Sequence, residues 1–168
     1  HSSVISDYFG RDWSGEMKLS TKGRYGLRAI VDIAVFGEKE PAAVSAISER
    51  QDISIRYLEQ LLSKLKKAGL VKSIRGAQGG YVLAGNAEDI SVGDVLRALE
   101  GDLTPVDCTE LTDTEETCSG SKYCVTKTVW KRINDSIAKT VDSIYLDELA
   151  DEARAVQQGK PAERNCER

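Results

Sequence analysis

Apolar positions recur along this chain at helical spacing, in blocks separated by glycine, proline and short polar turns. Leu27, Ile30, Val31 and Ala34 fall at i, i+3, i+4 and i+7, which makes one buried face of a helix over 27–36. Gly37 and Pro41 end it. Ser45 has the character of an N-cap for a short helix over 46–50. After the turn Gln51-Asp52-Ile53, Ser54 is a second N-cap. The helix it opens, over 55–68, buries Leu58, Leu61, Leu62 and Leu65, and Gly69 stops it. Asp52 stands where such turns favour glycine; aspartate tolerates the left-handed backbone better than most side chains. Two short helices about a three-residue turn make a helix-turn-helix.

The period then changes. Leu70–Ile74 and Tyr81–Leu83 read as strands, and Arg75-Gly76-Ala77-Gln78-Gly79-Gly80 between them marks a hairpin tip. A helix-turn-helix followed by a hairpin is a winged-helix arrangement. Another helix over 92–100 is capped by Ser91, with Asp94 three residues on. Beyond it, Val125, Val129, Ile133, Ile137 and Val141 recur every four residues, with Trp130 and Ile144 beside them. This predicts one helix from Tyr123 to about Leu146, roughly 35 Å long. A head of this size cannot cover such a stripe, so it predicts packing against a second copy. The expected fold is mainly α with a small β wing: a winged helix-turn-helix domain plus a long dimerisation helix. The expected divisions are a head over 17–100, a cysteine-bearing loop over 101–122, the dimerisation helix and a short following helix over 123–156, and a disordered tail over 157–168. Residues 1–16 fit no periodic pattern and precede the only methionine, Met17; they are set apart as a disordered leader.

Charge sharpens this picture. The net charge of the 168 residues is −4, which taken whole argues against a nucleic-acid partner. The distribution reverses that: residues 18–83 carry twelve basic and six acidic side chains, residues 84–168 ten and eighteen. A basic front half is suited to meeting an anion. On the helix over 55–68, the face opposite the leucines shows Arg56, Glu59, Gln60, Ser63, Lys64 and Lys67. Long polar side chains early in a helix suit a major groove. Arg56 can pair with guanine or phosphate, Gln60 with adenine, and Glu59 can accept from the cytosine amino group. Arg75 at the hairpin tip suits a narrow, electronegative minor groove, and Gly76 lets the backbone approach closely. Lys22 and Arg24, with Lys18 and Arg28, place positive charge at the start of the first helix, where phosphates could be gripped. Ser54 and Tyr57 complete the candidate DNA-contacting set. The competing reading of the polar face is ordinary solvation. The tip glycines could also suggest a phosphate loop, but no Lys-Ser/Thr follows and no helix starts there.

Several classes drop out. The only histidine, His1, lies at the very start, which excludes chemistry needing an internal imidazole. The longest uninterrupted apolar runs, Ile33–Phe36 among them, are far short of the roughly 20 residues that cross a bilayer. Four unevenly spaced cysteines without an export signal point to a reducing, cytoplasmic setting.

The stretch Met17-Lys18-Leu19-Ser20-Thr21-Lys22-Gly23-Arg24-Tyr25-Gly26-Leu27 resembles the opening of the IscR/NsrR/CymR family of winged-helix transcription regulators. So do Tyr57-Leu58-Glu59-Gln60-Leu61 and the run from Gly69-Leu70-Val71 through Arg75-Gly76-Ala77-Gln78-Gly79-Gly80-Tyr81. The likeness covers nearly all of 17–150. It implies a dimeric DNA-binding regulator, expected to be a repressor, with Glu59, Gln60 and Arg75 at base- or groove-reading positions. A two-fold dimer implies a near-palindromic operator.

Cys108, Cys118 and Cys124 fall within seventeen residues. Thiolates are soft ligands that suit iron–sulfur clusters, zinc or copper(I). By spacing alone a cluster, zinc and a redox disulfide all remain open. The family resemblance favours a cluster: regulators that sense iron–sulfur status look like this, with three cysteines just before the long helix, and Cys124-Val125-Thr126-Lys127 is similar to the third-ligand segment. A [2Fe–2S] centre is favoured, with the nuclearity open. Two positions depart from the family pattern. Lys127 stands where some members have histidine, and Arg24 where others have a carboxylate; neither is a ligand while protonated. Cys166 is a further candidate. The alternative within the family is a cluster-free regulator, similar to those of cysteine metabolism, controlled by a metabolic-enzyme partner or by thiol oxidation. A small redox or metal-carrier enzyme is the rival of another class, and it leaves the wing unexplained.

Overall fold

The computed structural model describes residues 20–105 and 124–159. The expectations for the leader, for Cys108, Cys118 and Cys166, and for the tail from 160 onward lie outside the described residues. Within them the chain forms α1 (Thr21–Phe36), α2 (Val44–Gln51), α3 (Ile55–Lys67), β1 (Val71–Ile74), β2 (Gly80–Leu83), α4 (Val92–Glu100), α5 (Lys127–Asp142) and α6 (Leu146–Gln157). Among the described residues no helix is long and apolar enough to cross a membrane.

α1 is the spine, touched by α2, α3, β2, α4 and α6. It starts six residues ahead of the apolar pattern because Ser20 caps it, its hydroxyl accepting from the Lys22 N–H. Its buried face is Ala29, Ile30, Ile33 and Ala34, with Gly23, Gly26 and Asp32; Leu27 and Val31 pack at the margin. The Asp32 carboxylate, 2% exposed, accepts from Arg50 Nε (2.9 Å), Arg50 Nη2 (2.6 Å) and Gln51 Nε2 (2.9 Å). A buried carboxylate needs such compensation, and here it fastens α1 to the end of α2. Arg50 also lies 4.1 Å over the Phe36 ring.

Ser45 is not a cap. α2 begins at Val44, with Ala43 at the cap position and no side-chain cap bond. The reason is tertiary. Ala42 exchanges two backbone hydrogen bonds of 2.9 Å with Tyr81 of β2, so the chain enters the helix directly from an extended, paired residue. The turn into α3 follows the expectation: Asp52 takes φ 52°, ψ 53°, and the Ile53 N–H donates back to the Ser48 carbonyl at 3.2 Å. α3 buries Leu58, Leu61, Leu62 and Leu65 and ends before Gly69 at φ +77°. β1 and β2 pair antiparallel with Val71 opposite Leu83 and Ile74 opposite Gly80. Gly80 has no room for a Cβ, which would overlap the Ala42 carbonyl. α4 carries the expected capping box, Ser91 and Asp94 bonding reciprocally.

The predicted single helix from Tyr123 to Leu146 is corrected. α5 covers Lys127–Asp142, about 24 Å at 1.5 Å per residue. The chain breaks at 143–145 because that segment pairs with the one preceding α4: Val92 N–H donates to the Ile144 carbonyl (2.8 Å) and Leu146 N–H to the Ile90 carbonyl (3.0 Å). Leu146, fully buried, opens α6 and belongs to the core of the head. α6 then lies along α1, where Arg154 bonds Glu38 at 2.8 Å. It reaches Gln157, one residue into the segment expected to be a disordered tail.

Candidate nucleic-acid interface and cysteine flank

The leucine face of α3 is consumed by the core, which leaves Arg56, Glu59, Gln60, Ser63 and Lys67 exposed. Among the described residues, the side chains of Arg56, Glu59, Gln60 and Lys67 make no hydrogen bond or ion pair, so they are free to engage a ligand. Two lysines of α3 are diverted. Lys64 Nζ donates to the Leu99 carbonyl at 3.1 Å, and Lys66 Nζ to Ser73 Oγ at 2.7 Å. Lys64 stays exposed, as the sequence pattern has it, but its ammonium is committed to that carbonyl.

Ser54 caps α3, its hydroxyl accepting from Tyr57 N–H at 3.4 Å. Tyr57 is half-buried, its ring edge-on to Tyr25 with centroids 6.1 Å apart. That contact sets the start of α1 beside the start of α3, so Arg24 and Arg56 each adjoin a member of one tyrosine pair. Lys22 and Arg24 are exposed and make no side-chain bond among the described residues. Arg28 is occupied: its guanidinium donates to the side chain and carbonyl of Gln51 and lies 5.4 Å from the Tyr25 ring centre. Arg75 and Gly76 are exposed at the wing tip; Gly76 takes φ +126° with open space around it.

Cys124 is exposed, just ahead of α5. The Thr126 hydroxyl lies 3.2 Å from its Sγ. That contact first, then the backbone N–H groups of Thr126 and Lys127 and the Lys127 charge, hold the thiol's pKa below its ordinary value. Among the described residues no group of three or more His, Cys, Asp or Glu could hold a metal ion. An accessible thiol biased toward thiolate fits a soft-metal ligand, whereas Arg24 and Lys127 do not. No residue of α5 is buried. Val125 is 85% and Val129 51% exposed, while Ile133, Ile137 and Val141 are half-covered. Val129, Ile133 and Ile137 line a shallow groove with Arg132 and Ser136.

A helix-turn-helix with an open polar face, a wing beside it and free cations at the head of the first helix define a winged-helix DNA-binding protein. The Rrf2 family, described as an iron-dependent transcriptional regulator, matches residues 19–152. The chain is 44% identical over 133 residues to the HTH-type transcriptional regulator IscR of Vibrio atlanticus, covering 79% of this chain and 75% of that one. It is 42% identical over 137 residues to the protein rrf2 of Nitratidesulfovibrio vulgaris, covering 82% and 89%. Among solved structures, T. potens IscR superimposes with a TM-score of 0.66 at 45% identity, covering 83% of this chain and 90% of that one. CymR (YrzC), the global cysteine regulator of B. subtilis, gives 0.65 at 41%, covering 80% and 96%. The chain belongs to the Rrf2 family and is a DNA-binding transcriptional regulator of the IscR type.

Sequence reasoning missed the residues that hold this surface in place. Asp32, which fastens α1 to α2, and Glu100, which accepts from the Gly23 N–H of α1, lie outside the polar face that the leucine pattern of α3 defines. One local signal was present: Gly23 and Gly26, three apart, make a flat strip on α1.

Proposed function

We propose that this regulator binds a near-palindromic operator as a homodimer in the cytoplasm, acting as a repressor, with three cysteines holding an iron–sulfur cluster whose presence changes operator affinity. α3 enters the major groove, where Arg56, Glu59 and Gln60 meet base edges, with Ser54 and Tyr57 fixing the start of the helix. Arg75 and Gly76 address the minor groove, and Lys22 and Arg24 bind phosphates. Dimerisation runs through the α5 stripe of Val129, Ile133, Ile137 and Val141, with Val125, expected on the helix, lying in the turn just ahead of it. The observation that carries this reading is the apolar stripe of α5, a helix with no buried residue, beginning beside an exposed thiol of lowered pKa. Cys124, with Cys108 and Cys118, would supply thiolates. Bound there, a cluster offers one-electron chemistry and a gain or loss of charge and ligands. With Lys127 and Arg24 unable to serve while protonated, the fourth ligand of a [2Fe–2S] centre would be a carboxylate, Cys166, an external thiol or nothing.

The test is anaerobic purification with iron and sulfide assays, then operator binding with and without the cofactor. Iron, sulfide and visible absorbance are expected, together with an affinity difference, and Cys118→Ala should lose the iron while staying dimeric. Colourless, iron-free protein overturns the cluster. The likeness to CymR at 41% identity favours the second reading in that event, a cluster-free regulator governed by a metabolic-enzyme partner or thiol oxidation.

A further inference from the structure

The last turn of α4 touches both DNA-facing helices. At α1, the Ser20 hydroxyl donates to Glu100 Oε1, and the Gly23 N–H donates to the same oxygen at 2.7 Å. The neighbouring amides are tied to the same point: Lys22 N–H donates to Ser20 Oγ (3.2 Å) and Arg24 N–H to the Ser20 carbonyl (3.3 Å). Three consecutive amides, 22 to 24, therefore end on Ser20 and Glu100. A carboxylate at this position satisfies donors that the first turn of a helix leaves open, and its charge complements the helix dipole. At α3, the Lys64 ammonium reaches the Leu99 carbonyl, one residue away from Glu100.

Glycines make the approach possible. A Cβ at Gly23 would stand 2.9 Å from Glu100 Oε1, and one at Gly26 would overlap Leu99 Cδ1. The short spacing Lys22-Gly23-Arg24-Tyr25-Gly26 thus alternates cations that face outward with glycines that face α4.

We propose that Glu100 is a positioning residue for DNA binding: by capping α1 from the end of α4 it holds Lys22 and Arg24 where they meet the duplex phosphates, while Lys64 docks α3 on the same turn. This rests on the reading of Lys22 and Arg24 as phosphate contacts. A carboxylate so close to those cations would, acting only through its charge, weaken DNA binding. A carboxylate acting through its hydrogen bonds strengthens it. The two roles therefore carry opposite signs.

The experiment measures operator affinity and its salt dependence for full-length Glu100→Ala, Glu100→Gln and Ser20→Ala, well below each variant's melting temperature, and combines Glu100→Ala with Lys22→Ala/Arg24→Ala. Glutamine keeps the accepting oxygen and removes the charge. Expected are an affinity loss of about three- to tenfold and a salt slope lower by about one unit in Glu100→Ala, about what one lost phosphate contact costs. A smaller loss is expected in Ser20→Ala, and parent affinity or better in Glu100→Gln. In the Lys22→Ala/Arg24→Ala background the loss should vanish, because its route is gone. Tighter binding by Glu100→Ala, or a full additive loss in the combined variant, overturns the proposal alone. Unchanged affinity in Lys22→Ala/Arg24→Ala overturns the phosphate-contact reading and the proposal with it. If Glu100→Ala fails to fold, Ser20→Ala decides, since parent affinity and slope in that variant overturn the proposal.

Discussion

Arg75 shows how much a single residue's role depends on its backbone. It is exposed at a tip whose next residue, Gly76, sits at φ +126°, a conformation that side chains with a Cβ rarely adopt. Behind the tip, Gly80 lets the wing pair with Ala42, so the arginine is carried on a hairpin anchored to the head rather than on a free loop. Arg75→Ala is expected to weaken specific operator binding by about 1–3 kcal/mol, read by titration against specific and random duplexes at fixed salt. An equal loss on both duplexes would make it a phosphate contact instead. Arg75 and the free cations of α3 were legible in the sequence because they need only be exposed. The diversions of Lys64 to Leu99 and of Arg28 to Gln51 were not, because their acceptors lie 35 and 23 residues away.

The elements differ in how firmly they join the head. α6 is bound in by buried Leu146 and Ala150, whereas α5 buries nothing and is joined at its C-terminal end. There Arg97 and Asp142 form a two-bond fork, Nη1 to Oδ1 at 2.7 Å and Nη2 to Oδ2 at 2.8 Å. Gly93 makes room for it, since a Cβ there would overlap Asp142 Oδ1. Hydrogen bonding to Arg97, then its charge, holds the Asp142 carboxyl below the ordinary value of 3.8. A depressed folded pKa means that the fork's contribution is complete above the ordinary value and is lost progressively as pH falls from there through the lower folded one. An NMR-followed titration should place the Asp142 midpoint below that of an ordinary aspartate, and Arg97→Ala should bring it back up. A midpoint that does not move would mean the fork does not hold α5 in solution. The apolar residues of α5 recur every four positions, so each step advances about 40° around a helix of 3.6 residues per turn. The stripe therefore winds obliquely, and its continuity in the sequence hid the break before Leu146.

At the scale of the whole molecule, the proposed arrangement sets basic heads on DNA and joins them through the unburied apolar stripe of α5. Ile133→Asp places a charge in the groove that Val129, Ile133 and Ile137 line. It is expected to yield a folded monomer by sedimentation, with an unchanged far-ultraviolet spectrum and a lost preference for a two-half-site operator over a single half-site. A variant that remains dimeric would place the interface elsewhere.

The sequence by itself determined the elements whose causes are local. A leucine period fixes the buried face of α3, Ser54 and Ser91 open helices, Asp52 and Gly69 close them, and the glycine-rich tip makes the wing. The family followed from the same motifs, because they are short and contiguous. Tertiary structure decided what depends on partners distant in the chain: Ala42 pairing with Tyr81 starts α2 without a cap, and Ile90 pairing with Leu146 divides the predicted long helix. It also decided that Glu100 closes the first turn of α1. Hydrophobic period records which face is buried. It holds no record of which distant carbonyl or carboxylate will satisfy a given donor, and that is settled only when the chain has packed.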